Sequence, residues 1–113
     1  MIESYSFGSM TVRGEKHRND LKIIDSQIIG NWWRREGHAL YAEDIDDILY
    51  SSVEMLVVGT GAYGSMRVTE EAAKAIEGRG IKLVAVPTKE AVSVFNSFHA
   101  QGKRVAGAFH LTC

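Results

Sequence analysis

Cysteine occurs once in the 113 residues, at Cys113, so no disulfide can form within the chain and a reducing compartment suits it. Proline also occurs once, at Pro87, and neither an internal repeat nor a low-complexity segment is present, which excludes fibrous and linker-like architectures. An excess of charge of one sign is missing as well. Thirteen Lys and Arg face fourteen Asp and Glu, a formal charge of −1, so there is no global attraction for nucleic acid or an anionic membrane. The longest strongly basic stretch, Arg13 to Arg18, is interrupted by Glu15 and followed by Asp20, which reads as a solvated turn. No apolar run approaches the roughly 20 residues of a membrane span. Met1 to Tyr5 has neither the basic nor the apolar region of a secretory signal. The expected location is the cytoplasm.

Hydrophobic residues make up 45% and charged residues 24%, the balance of a globular protein with a packed core. At this length one domain, 1–113, is expected to bury about two-thirds of its unfolded surface without staples or metal.

The hydrophobic pattern changes period near Tyr41, marking two layers: an antiparallel β layer over 1–40 and a parallel α/β layer over 41–113. In the first, Met10 to Val12, Leu21 to Ile24, Ile28-Ile29 and Trp32-Trp33 are short strand-type segments punctuated by Gly8, Gly14, Gly30 and Gly37, as in a meander. In the second, Ile45, Ile48 and Leu49 share one face of a helix spanning 43–51, with Asp44, Asp46 and Asp47 on the remainder. Met55 to Val58 is a continuous apolar run suited to a strand buried on both faces. Thr69 caps a helix running to Glu77, Ile81 to Val86 is a strand, Thr88 caps a helix with the stripe Ala91, Val94, Phe95 and Phe98, and Arg104 to His110 is the last strand. Strands and helices alternating at these spacings imply right-handed βαβαβ crossovers with three parallel strands. The expected fold is α/β: a three-layer β/β/α sandwich with a central parallel sheet, helices on one face and the N-terminal antiparallel meander on the other.

Parallel sheets offer ligands the carboxyl ends of their strands. Gly59, Gly61 and Gly64 match G-x-G-x-x-G, but the last glycine falls five residues short of the Thr69 cap and no P-loop lysine follows, so turn geometry outweighs nucleotide binding. His17, His38, His99, His110 and Cys113 do not assemble a metal-ligand spacing beyond the pair His110-x-x-Cys113, and no G-x-S-x-G elbow occurs. No cofactor, metal or catalytic residue is expected. Trp32 and Trp33 point to opposite sides of an extended chain, so one belongs to the core and the other, beside Arg34 and Arg35, to a surface suited to a protein contact.

Gly8, Val12, Trp33, Val57-Val58-Gly59-Thr60-Gly61, Thr88, Ala91, Asn96, and the C-terminal run Gly102-x-Arg104-Val105-Ala106-Gly107-x-Phe109-His110-x-Thr112-Cys113 form a pattern over nearly the whole chain. It resembles the Mth-domain family of small α/β proteins, whose members include an adipogenesis-associated protein and, more distantly, a mitochondrial complex I assembly factor. The resemblance implies a three-layer fold and no established enzymatic activity. The assembly-factor branch acts by binding other proteins, and without a transit segment this chain is expected to fall in the cytosolic or prokaryotic branch.

Two functions follow as expectations. The first is a non-catalytic binding or assembly module that engages a protein partner or a second copy of itself through Trp32, Trp33, Arg34 and Arg35. The second is a small-molecule or anion binder, or an enzyme, at the strand-end cleft, built from Gly59, Thr60, Gly61, Thr88, Asn96 and Arg104. Each of these residues also has a structural use: the glycines as turn formers, Thr88 as a helix cap, Asn96 as a partner for loop backbone, and Arg104 as a partner for Glu54 or Glu90.

Overall fold

A computed structural model describes all of residues 1–113. Strands β1 (Ile2–Ser6), β2 (Ser9–Val12) and β3 (Glu15–His17) form an antiparallel sheet of their own. The chain then makes β4 (Leu21–Ile24), β5 (Gln27–Ile29) and the two-residue β6 (Ala39–Leu40). A 3-10 turn over Ala42–Ile45 leads into the single-turn α1 (Asp46–Leu49). There follow β7 (Met55–Thr60), β8 (Arg67–Val68), α2 (Glu70–Gly78), β9 (Lys82–Val86), α3 (Thr88–Ala100) and β10 (Val105–His110).

The central sheet runs β5-β4-β10-β7-β9. Its β10-β7-β9 portion is parallel, as the crossover argument requires. The other two strands correct the expected layer boundary at residue 40. β4 pairs antiparallel with β10 and β5 with β4, so the central sheet is mixed and the first forty residues divide between two sheets. The physical reason lies in Leu21 to Ile24, which is buried along its whole length and needs apolar cover on both faces, a setting the small outer sheet lacks.

The helices are not confined to one face. From β7 the chain steps through α2 to β9 at the sheet edge, and from β9 it returns through α3, past β7, to β10. Two right-handed crossovers taken in opposite directions place their helices on opposite faces. Ile76 of α2 accordingly packs with Leu56, Val58, Ala106 and Ala108, while Ala91 and Phe95 of α3 pack with Met55, Val57 and Phe109. The three layers remain. One outer layer combines the β1-β2-β3 sheet with α3, and the other combines α1, α2 and the short parallel pair β6-β8.

Alternation along β10 explains its composition. Ala106 and Ala108 face the α2 side, and Gly107 faces α3, where any Cβ would overlap the Phe109 ring and stand 3.1 Å from Phe95. Phe95 and Phe109, both about fully buried, meet edge to face at 5.7 Å. Burying each contributes about 1.5–3 kcal/mol, with a further 0.5–1.5 kcal/mol from the ring geometry.

Helix ends follow local chemistry in one case and not in another. The Thr69 hydroxyl accepts the Ala72 N–H at 3.2 Å and caps α2, as the sequence predicts. Thr88 does not cap α3. Pro87 occupies that position without a side-chain bond, and Thr88 lies inside the first turn with its hydroxyl turned toward the sheet. Asp44 is also not on an outer helix face. It is 9% exposed, and its carboxylate accepts the backbone N–H groups of Tyr41 and Arg35 at 2.8 and 3.0 Å. No helix is long and apolar enough to cross a membrane.

Candidate functional site

The six residues of the expected cleft occupy three separate places. Gly59, Thr60, Gly61 and Thr88 do meet, at the carboxyl ends of the parallel strands. Thr88, fully buried, accepts the Gly61 N–H at 2.9 Å and donates to the His110 carbonyl at 2.6 Å, while its own N–H donates to the Gly61 carbonyl at 3.0 Å. The Ala62 N–H donates to the Thr112 carbonyl at 2.7 Å, and the Met66 N–H to that of Thr60 at 3.0 Å. Gly61 adopts φ +104°, and a Cβ there would stand 2.8 Å from the carbonyl oxygens of Thr112 and Cys113. The close backbone approach that its glycine permits is therefore to the chain's own C-terminal segment, and the N–H groups of Gly61, Ala62 and Gly64 are consumed internally.

Arg104 stands at the other end of the sheet. Val105 pairs with Met55 and Phe109 with Gly59, so Arg104 and Gly59 are separated by about 16 Å at roughly 3.3 Å per residue. Its Nε donates to the Ser52 carbonyl at 2.8 Å and its guanidinium lies 3.5 Å from Glu54, the structural pairing weighed from the sequence. Asn96 is elsewhere again. It accepts the Ile2 N–H at 3.0 Å and donates to the Ile2 carbonyl at 2.8 Å, latching β1 onto α3. Asn96→Ala is expected to destabilise the protein by about 1 kcal/mol, since the freed strand groups are only part-buried and can find water. Hydrogen exchange should accelerate in β1 and β2 before β7 and β10; uniform acceleration would contradict the latch.

The tryptophans separate as expected. Trp32 is 6% exposed, donates from Nε1 to the Asp44 carbonyl at 2.9 Å and lies under the Arg34 guanidinium at 4.7 Å. Trp33 is 79% exposed. The two arginines separate too: Arg35 is exposed, ion-paired with Glu43 at 3.0 Å and 3.8 Å above the Tyr41 ring, whereas Arg34 is buried.

The partners of Arg34 form a largely buried ionisable cluster, and Asp20 and His110 are its members that the sequence reading did not bring together. Because Leu21 pairs with Phe109, Asp20 falls beside His110. Asp20 Oδ2 accepts from Arg34 at 2.7 Å and meets His110 Nδ1 at 2.7 Å, while Oδ1 accepts the Leu111 N–H at 2.8 Å. Burial alone would raise the carboxyl's pKa. The hydrogen bonds from His110, the Leu111 N–H and Arg34, with the Arg34 charge, outweigh it and hold Asp20 below its ordinary 3.8. An ionised Asp20 fixes the tautomer: His110 Nδ1 carries the proton and donates it. The Arg34 nitrogen 3.1 Å from Nδ1 then bonds the Gly37 carbonyl instead, at 2.8 Å. His110 Nε2 is buried and without a protein partner, and Arg34 Nε is likewise unpartnered. The exposed ring of His38 packs edge-on against His110 at 5.8 Å.

Above this cluster opens a cavity of about 340 Å³, lined among others by Arg18, Asp20, Trp33, Arg34, His110 and Thr112. Two other surface hollows of similar size, around 99–105 and 87–93, contain no buried ion pair. Arg18, read from the sequence as part of a solvated turn, forms part of the cavity wall. The signal for the cluster was present: His110 continues the inward alternation of Ala106 and Ala108, where a polar side chain needs a partner.

Several solved structures share this architecture. A conserved hypothetical protein from Pyrococcus horikoshii is 27% identical, with a TM-score of 0.85 over 100% of this chain and 99% of that one. A protein described as an outer membrane protein from Bartonella henselae is 27% identical, with a TM-score of 0.84 over 99% of this chain and 94% of that one. A Mth938-like domain protein from Bordetella pertussis, at 17% identity and a TM-score of 0.77 over 97% and 84%, shows the same fold. The likeness agrees with the Mth-domain resemblance drawn from the C-terminal motif. With residues 2–110 matched by the model of the family described as a protein of unknown function (DUF498/DUF598), the chain belongs to that family.

Proposed function

We propose that the protein is a non-catalytic binding module of the cytoplasm that engages a protein partner through the strand-end face bearing Phe7, Trp33 and Tyr63. The observation that carries this reading is the grouping of exposed rings. Four large hydrophobic side chains are exposed, and three of them, Phe7, Trp33 and Tyr63, lie on segments tied to residues 111–113. Phe7 and Tyr63 lie 6.3 Å apart, the Gly8 N–H donates to Leu111 and the Ala62 N–H to Thr112, and Thr112 shares a cavity wall with Trp33. The fourth, Tyr50, sits away from them against Arg79. Exposed aromatics flanked by arginine are the residue types that dominate binding energy at protein contacts, whereas scattered single ones carry no such meaning.

The test uses a photo-reactive benzophenone amino acid in place of Tyr63 or, as control, Tyr50, in the protein's own cells. A discrete polypeptide adduct is expected from position 63 and not from 50. Trp33→Ala should weaken the 63 adduct by about 30-fold or more if Trp33 is an energetic centre of the contact. Equal labelling from both positions, or a 63 adduct indifferent to Trp33, would overturn the reading.

A further inference from the structure

The cavity beside Trp33 carries a second, separate assignment. Its charges do not balance internally. Both oxygens of Asp20 are occupied, and its charge is matched by Arg34. Arg18, on the same wall, makes no hydrogen bond or ion pair with any other residue, so the cavity keeps one uncompensated cation. Beside it stands the exposed ring of Trp33, a flat apolar platform. Two polar atoms of residues in the wall, His110 Nε2 and Arg34 Nε, have no protein partner but are closed to solvent, so they take no part in the binding described next. At about 340 Å³ the space lies at the small end of ligand sites, enough for one ring with its substituents.

We propose that this cavity binds a small aromatic carboxylate, its carboxylate paired with Arg18 and its ring stacked on Trp33. Neither the glycine loop nor Arg104 takes part, because the first is closed by its own hydrogen bonds and the second lies at the opposite end of the sheet. The ligand is a free small molecule rather than a side chain of the protein partner, since the site is a polar-walled hollow set beside the aromatic face. Either proposal can fail alone: the benzophenone adduct reports on the partner, and the titration below on the cavity.

Two indole N–H resonances report the site in a ¹H–¹⁵N spectrum: that of exposed Trp33 and, as internal control, that of buried Trp32. Benzoate titrated into the full chain is expected to shift the Trp33 indole and the amides of Asp20 and His110 saturably, with a dissociation constant on the order of millimolar. Benzamide, the neutral isostere, and Arg18→Gln should each weaken binding by about fivefold, the scale of one exposed ion pair. Cyclohexanecarboxylate should weaken it by about two- to tenfold through loss of ring stacking. Because Arg18 is exposed and unpartnered, Arg18→Gln should leave the remaining spectrum unchanged. Absence of saturation, equal binding of benzamide, binding unaltered by Arg18→Gln, or shifts centred away from the cavity would each overturn the proposal. Inorganic phosphate binding as well as benzoate would overturn its aromatic half.

Discussion

Asp20→Ala is expected to lower the unfolding free energy by about 3–5 kcal/mol in urea denaturation at pH 7, the scale of breaking one partner out of a buried ion pair. The carboxylate holds three donors at once: the Arg34 guanidinium, His110 Nδ1–H and the Leu111 N–H. Arg34 keeps only 4% of its side chain exposed, so without Asp20 its charge stays buried with no counter-ion. The substitution also frees the end of β10 from the start of β4. Asp20→Asn, nearly isosteric, should recover little, because an amide supplies neither the charge nor two acceptor oxygens. A loss below about 1 kcal/mol would mean that Arg34 finds water, and the cluster would then be a surface feature.

The same carboxylate sets a pH dependence. Asp20 titrates below its ordinary value of 3.8 in the folded protein, so the unfolded chain binds the proton more readily. Its stabilising contribution is therefore complete above 3.8, shrinks as pH falls from there toward the lowered folded value, and is gone below that. Stability measured against pH should drop more steeply through this acid window in the natural protein than in Asp20→Asn. Parallel curves would show that other carboxylates govern the acid limb.

Thr88→Val should cost on the order of 2–4 kcal/mol, because one hydroxyl serves two buried backbone groups and each costs about 1–3 kcal/mol when left unpaired. The shape is preserved, so packing contributes little to the loss. The Gly61 N–H and the His110 carbonyl belong to neighbouring strand ends, and the hydroxyl is the bridge between them. Thr88→Ser retains the bridge and removes a methyl group, with an expected cost of about 1 kcal/mol. If serine and valine proved equally damaging in thermal or urea unfolding, the hydroxyl would be irrelevant and the methyl decisive.

How much of this was legible in the sequence depended on the range of the interaction that decides each feature. Periodicity placed Met55 to Val58, Ile81 to Val86 and the Ala91 to Phe98 stripe correctly, because the residue pattern that decides each is local. Thr69 behaved as a helix cap, its hydroxyl accepting the local Ala72 N–H while donating to the distant Leu40 carbonyl. Thr88, with the same sequence context, did not, since a buried strand end offered its hydroxyl two partners that only the tertiary fold brings near. The separation of α2 from α3 follows from strand order, and nothing local to either helix encodes it. The Gly59 loop, Asn96 and Arg104 were grouped by shared motif membership, which carries no distance. Asp20 and His110, ninety residues apart, become neighbours only through the pairing of β4 with β10.

That pairing also constrains how the protein can be made. The final strand, β10, is the middle member of the central sheet, joining the antiparallel half to the parallel half. On the ribosome, β4, β5, β7 and β9 leave the exit tunnel before the strand that unites them, and until it arrives each half shows an open edge where β10 will insert. Such edges are templates for pairing with other chains. The sheet thus closes only once β10 has emerged, and a chain stalled or cleaved just short of Val105 would be two exposed half-sheets.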